Sequence, residues 1–362
     1  MTHRVARTAM GLVFLLTTLL GCSDGEQMVQ SSSPPSPSPT PSPSVPTQAS
    51  LVRYVSPAGD DDNPGTLDRP WRTLTHALRR IYLGQVLFVR GGTYREHIDH
   101  IRLHPGTAEK PITVLAYPGE NPVLVGTLSL RRPAYWLIDN LDVSGDPTAG
   151  QQQSFMVKVI GGTSWTWENS EFTDTVTGAN VMITGWGTGE PSGFTFRGNC
   201  LHGLPTPPMG STNLFLGTMG SGAHGTVSRN VVFNDERQPN VRIGSGAGAP
   251  TRVKVLRNTI YGGSLGIDVR GRPHMIKIAR NLLGGSPAPA MIRFPAGDSH
   301  GTTVNNNVVV QAKQLLRTYV NESVHGAGNI VLPDDPQFVD TARCDGFRSG
   351  LDALIPYGAD AL

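Results

Sequence analysis

Between Val181 and Thr318 the chain repeats short apolar triplets with a variable residue at the centre: Val181-Met182-Ile183, Leu214-Phe215-Leu216, Val241-Arg242-Ile243, Ile267-Asp268-Val269, Ile292-Arg293-Phe294 and Leu316-Arg317-Thr318. Between them lie segments of strict alternation, Phe194-Thr195-Phe196, Val253-Lys254-Val255 and Ile276-Lys277-Ile278. Apolar residues at every second position mark strands with one buried face. Gly and Pro interrupt the chain too often for helices beyond two or three turns. One exception precedes the strands: Leu74, Ala77, Leu78 and Ile81 stand at i, i+3, i+4 and i+7 and predict a short amphipathic helix. A second rhythm overlays the strands. Asn169, Asn199, Asn230, Asn258, Asn281, Asn307 and Asn329 recur at intervals of 22 to 31 residues, each before an apolar residue or a short polar one. Repeats of that length cannot bury an apolar face alone, so they stack. The pattern predicts an all-β solenoid of about eight or nine coils, with a ladder of Asn side chains bonded from coil to coil.

Stacking turns residues distant in sequence into neighbours. The triplet centres Met182, Phe215, Arg242, Asp268, Arg293 and Arg317 become one outward column, with Arg270 and Tyr319 two residues further along their coils. Aromatic and guanidinium groups together suit a sugar acid, whose ring stacks and whose carboxylate binds bidentately. Phe215, Arg242, Arg293, Arg317 and Tyr319 are therefore the candidate ligand-binding residues. The plainer alternative is an ion-pair ladder of Asp268 with Arg242 and Arg293. A second outward column holds Lys254 and Lys277, with Arg229, Arg257 and Arg280 beside the Asn ladder. Its plainer reading is long stems lying over the exterior.

The ends differ from this body. Arg4 and Arg7 precede an apolar run from Met10 to Leu20, the pattern of a secretory signal over residues 1–21. Residues 22–50 include the Ser/Pro alternation of Ser31 to Pro46, an extended spacer. The expected organisation continues with an N-terminal cap and first coil (51–110), a β-helix (111–335) and a C-terminal tail (336–362). The chain carries 30 Lys+Arg and 28 Asp+Glu. Removing the signal with its two Arg leaves a neutral protein, which argues against bulk nucleic-acid binding. Beyond Cys22, the cysteines are Cys200 and Cys344. A disulfide tying the C-terminal segment to the core and two free thiols both remain open.

The opening of the folded region carries a resemblance. Tyr54-Val55-Ser56-Pro57-Ala58-Gly59-Asp60-Asp61-Asp62-Asn63-Pro64-Gly65-Thr66 is a strand and a turn-rich loop, and Pro70-Trp71-Arg72-Thr73 leads into the helix. Gly84 to Glu96, Gly106 to Thr113 and Ala116 to Glu120 follow. Together they resemble the cap and first coil of secreted bacterial proteins of the pectate-lyase-like superfamily. That resemblance implies a right-handed parallel β-helix with a short N-terminal capping helix. It implies little about reaction, because the superfamily spans lyases, hydrolases, epimerases and binding proteins. Likewise Leu19-Leu20-Gly21-Cys22 resembles the lipobox of bacterial lipoproteins, implying a diacylglycerol on Cys22 and an extracytoplasmic, membrane-anchored protein.

Lyases of the superfamily often use Ca²⁺ held by clustered acids, with Lys or Arg as base. Here Lys254, Arg270 and Asp268 are the catalytic candidates, but Asp268 stands alone among cations and makes a poor Ca²⁺ site. Lys254 also falls on a different face from Asp268. Asp60-Asp61-Asp62 reads as a turn, and Asp235-Glu236 lies in a loop near Arg237. Hydrolases of the superfamily add an acidic triad to His-Gly and Arg-x-Lys elements. Ala223-His224-Gly225 and Arg252-Val253-Lys254 match superficially, without the paired acids that hydrolysis needs. The expectation is a surface-tethered protein that binds an acidic polysaccharide or serves a structural role, without a cofactor. The alternative is a polysaccharide lyase, with Ca²⁺ as its conceivable cofactor.

Overall fold

The computed structural model describes residues 51–359, apart from 147, 149–154, 176–177, 186–188, 204–211, 235–237, 246–251, 295–298, 319–323, 325, 334–335, 337, 339, 341–343 and 348–356. Cys22, the signal, the spacer, Tyr319 and Asp235-Glu236 lie outside the described residues, and so does the Arg317 side chain.

Parallel strands stack coil upon coil in two sheets of ten and seventeen strands, which form three faces. The first face is the ten-stranded sheet, from Val52–Val55 to Thr303–Asn305. After a sharp bend the second face begins, with strands such as Cys200–Leu201, Val231–Asn234 and Thr259–Gly262. Longer turns lead to the third face, which contains Val157–Ile160, Ala179–Thr184, Thr212–Leu216, Pro239–Ile243, Leu265–Val269, Ala290–Phe294 and Gln314–Thr318. Seven turns carry all three strands; the two coils before them have one long strand, Gly92–Arg102 or Pro122–Arg131, in place of the second and third.

Register lines up the core. Leu87, Val114, Ile138, Trp167, Phe196, Val227, Val255, Ile278 and Val304 form one inward column of the first face, every member buried. Trp165 stacks on Phe194 at 5.2 Å, and Phe172 lies between Trp167 and Phe196. Each such ring contributes about 1.5–3 kcal/mol by leaving water.

The bend between first and second faces has two layers. Its first position is left-handed in Asn140, Asn169, Gly198, Arg229, Arg257, Arg280, Asn306 and Gly328 (φ 53–66°). Gly and Asn tolerate that conformation; the three Arg adopt it because every following residue is locked. The locked position is the ladder. Backbone N–H groups of Ser170, Asn199, Asn230, Asn258, Asn281 and Asn307 donate to the side-chain oxygen of the Asn one coil on, at 2.9–3.0 Å. The ladder therefore runs from Asn199 to Asn329. Asn169, expected within it, occupies the left-handed position instead, and Ser170 takes the ladder site. A second ladder bonds Asn180 to Asn213 and Asn213 to Asn240, at the approach to the third face.

The N-terminal end is capped, and the C-terminal residues cover one side of the stack. The helix Leu74–Arg80 buries Leu74, Ala77 and Leu78 over the first coil; Thr73 caps it, and Glu96 accepts from the N–H of Leu74 and Thr75. Asp61 accepts from the backbone of Arg72 and Thr73 and from the Thr73 hydroxyl, so the Asp60-Asp62 run is the turn its sequence suggests. At the other end, Phe338 and Phe347 pack on Tyr261, Phe347 also meets Phe233, and Tyr357 joins Leu282, Val308 and Val310. Cys344 is joined to Cys200 by a disulfide. These C-terminal residues strap down the apolar exterior of the second face.

Candidate functional site on the third face

The third face carries the expected column. Met182 pairs with Phe215, Phe215 with Arg242, Arg242 with Asp268, Asp268 with Arg293, and Arg293 with Arg317. Alternation forces this outcome, because the flanking apolar residues of the triplets from Val181 to Phe294 are buried inward and leave the centre outside.

The C-terminal part of the column is an ion cluster built on one carboxylate. Asp268 is 1% exposed, although it sits on the outer side of its strand. Arg293 grips both its oxygens, Nε to Oδ1 at 2.9 Å and an Nη to Oδ2 at 2.8 Å. Arg270 Nε donates to Oδ2 at 2.8 Å, and Arg242 Nε stands 3.9 Å from the same oxygen. Burial, then Arg270 and Arg293, push the Arg242 guanidinium below its ordinary value, and Asp268 opposes them. One negative charge thus holds three positive ones. Arg270 and Arg293 remain 49% and 39% exposed, so the excess charge faces solvent.

The column also extends the other way, past what the triplets indicated. Lys158 pairs with Met182 and Ser129 with Lys158, and Ser129 Oγ lies 3.2 Å from His100 Nδ1. Burial, and next Arg131, lowers the Lys158 ammonium. Arg131 Nε is buried and has no hydrogen-bond partner among the described residues. Phe155 lies 6.1 Å from the Phe215 ring and 5.5 Å from Lys158 Nζ, and Arg242 stands 6.0 Å from the Phe215 centroid. The signal for Lys158 was present in Val157-Lys158-Val159, an alternating triplet like the rest.

One expectation needs correction. The column is not an open wall: Met182 and Asp268 are buried, and Phe215, Arg270 and Arg293 supply its accessible surface. Lys254, as the sequence places it, does not join Asp268 and Arg270; it belongs to the first face, in register with Thr226 and Lys277. Five candidates, Phe215, Arg242, Asp268, Arg270 and Arg293, come together.

Ca²⁺ does not fit the described residues of this site. Both Asp268 oxygens are taken by guanidinium groups, and hard cations need several free oxygens. The soft-ligand cluster of Cys200, His202 and Cys344 has its two sulfurs bonded to each other.

Residues 53–188 match the family described as Pel9A-like, right handed beta helix region. The matched part contains the cap, Lys158 and Met182, and ends before Phe215. Over 73 residues (20% of the chain) the sequence is 47% identical to the uncharacterized protein YwoF of Bacillus subtilis, covering 15% of that protein. Over 93 residues (26%) it is 37% identical to pectate lyase PEL9 of Emericella nidulans, covering 22% of it. The chain thus spans under a quarter of either relative's length. Among solved structures, pectate lyase Pel9A superposes with a TM-score of 0.53 at 13% identity, over 80% of this chain and 82% of that one. The solenoid is accordingly a right-handed parallel β-helix, and its residues 53–188 match the Pel9A-like β-helix family.

Proposed function

We propose that the protein binds an acidic polysaccharide along the third face, with a stretch of uronate polymer lying over Phe215. The stacked register of Lys158, Met182, Phe215, Arg242, Asp268 and Arg293 carries this reading. It sets cations at both ends of an aromatic and apolar middle. Lys158 and Arg242 are three strand steps apart, about 14 Å at 4.8 Å per step. A sugar ring stacks on Phe215 and Phe155. Carboxylates on either side meet Lys158 and Arg131, or Arg293 and Arg270, whose charge Asp268 only partly cancels. The relatives named as pectate lyases support the ligand class. The test is retention of the protein on polygalacturonate, alginate and chondroitin, measured by affinity electrophoresis. Phe215→Ala and Arg293→Ala should each weaken retention at least tenfold on the polymer bound; unchanged retention on all three removes this surface from consideration.

β-Elimination is the second reading, and Lys158 favours it. Its ammonium is lowered by burial and by Arg131, which eases its use as the base that takes the C5 proton of a uronate. A neighbouring guanidinium would neutralise the carboxylate. Lys254, on the first face, has no part in such a site. Appearance of unsaturated uronate absorbance, abolished in Lys158→Ala, would establish turnover; no signal with or without added Ca²⁺ would leave binding alone.

The signal at residues 1–21, Cys22 and the Ser/Pro spacer support an envelope location, with the β-helix tethered by a lipid. Metabolic labelling with palmitate that Cys22→Ala abolishes is the expected result.

A further inference from the structure

The first face changes character along the solenoid. In its N-terminal coils the outward polar groups compensate one another: Glu168 pairs with Arg197, and Asn169 donates to Asp139 at 2.8 Å. Beyond Arg197 no carboxylate appears on this face among the described residues, whereas cations accumulate in two rows. Lys254 and Lys277 are exposed and directly paired in register. Arg229, Arg257 and Arg280 follow one another at the left-handed bend, each N–H donating to the next coil (Leu256 O, Ala279 O and Asn305 O). Between the rows run Ser228, Leu256 and Ala279, also in register. None of the five cations forms an ion pair among the described residues.

Like charges directly opposite on neighbouring strands repel. The core fixes their backbone register, so like charges stay crowded along the rows, and an external anion relieves the repulsion. From this arrangement we infer that the first face is a second anion site: a track along the solenoid axis for a linear polysaccharide bearing carboxylate or sulfate groups. Two parallel rows one strand spacing apart per step match a polymer with regularly placed charge. The floor of Ser228, Leu256 and Ala279 holds no aromatic ring on which a nucleic-acid base would stack. A bilayer surface would require apolar side chains to insert, and among the described residues Met275 is the one large apolar side chain exposed beside the track. The track is on a different sheet from the Phe215–Arg293 column and does not rest on the function proposed for that column.

The experiment uses the full chain carrying Phe215→Ala and Arg293→Ala, so that the third face is impaired whatever its role. Binding to polygalacturonate and to dextran sulfate is measured by affinity electrophoresis, and binding to vesicles of anionic phospholipid by co-sedimentation. Adding Lys254→Ala and Lys277→Ala should weaken binding to at least one polysaccharide tenfold or more with the melting temperature unlowered, while Lys254→Arg with Lys277→Arg retains it. Polysaccharide binding that is absent, or indifferent to the alanine pair, overturns the track. Binding confined to vesicles also overturns it and points to a membrane-facing surface.

Discussion

At the residue scale the decisive group is Asp268, because its environment reverses what its position suggests. An outward position on a strand predicts a solvated carboxylate; three guanidinium groups bury it instead. Removing one partner of a buried ion cluster leaves the others uncompensated, a large penalty compared with the small worth of exposed pairs. Asp268→Asn preserves shape and removes the charge, so it should lower unfolding free energy by about 2–3 kcal/mol, discounted for the exposure of Arg270 and Arg293. Urea denaturation of the two proteins side by side measures this, and an unchanged midpoint would show the cluster to be energetically idle. Acid should act on two carboxylates of the N-terminal coils, Asp61 and Glu120. Burial pushes the Asp61 carboxyl up, but hydrogen bonds from Thr73 and Arg72 outweigh it and bring the group below 3.8. The Arg90 side chain and the Gly91 N–H do the same for Glu120. Both folded values lie below their unfolded ones, so this stability is fully present above about pH 5 and is lost as pH falls through the folded values. The melting temperature should fall below about pH 5, and Asp61→Asn should shrink that fall.

At the element scale the strands and the bends were legible to different degrees. Triplets such as Val241-Arg242-Ile243 gave both register and facing, since a period of two allows only one side to be buried. The Asn ladder was legible from Asn199 onward. It was misread at Asn169, because a left-handed bend and a ladder site both favour Asn and the two positions are adjacent. Only the N–H of Ser170 donating to Asn199 separates them. The second ladder was visible in principle, as Asn180, Asn213 and Asn240 each precede an outward-centred triplet. The strap was legible only as one of two open readings of Cys200 and Cys344; its aromatic contacts were not, because Phe338 and Phe347 show no period and their partners Tyr261 and Phe233 lie coils back in sequence. The ladder has a measurable role. Asn258 is buried and links Asn230 to Asn281, so Asn258→Ala leaves donors of Asn230 without their acceptor. Each unsatisfied buried group costs about 1–3 kcal/mol. A loss of at least 2 kcal/mol is expected in denaturant titration, whereas Asn306→Gly, at the exposed left-handed position, should be nearly neutral.

At the scale of the whole molecule a solenoid has a weakness that a globule lacks: each coil touches only its neighbours, so cooperativity must be carried along the stack. The strap opposes this. It returns from the last coils along the second face, and the Cys200–Cys344 bond closes a loop across 144 residues. Phe338, Phe347 and Tyr357 cover rings and aliphatic groups of several intermediate coils on the way. Coils that could otherwise fray from the C-terminal end are thereby coupled to the middle of the stack. A cross-link of that span typically stabilises by about 2–4 kcal/mol. Cys200→Ala with Cys344→Ala should therefore lower stability by an amount in that range and also broaden the transition, as the C-terminal coils open ahead of the rest. Hydrogen exchange distinguishes the two effects: amides of Leu282–Gly284 and Val308–Val310 should lose protection before those of Trp136–Asp139. Uniform loss across all coils would mean that stacking alone carries cooperativity and that the strap only adds stability. Because the Arg242, Asp268 and Arg293 column lies on those same middle and C-terminal coils, early opening should weaken the polysaccharide retention proposed for the column below the global melting temperature.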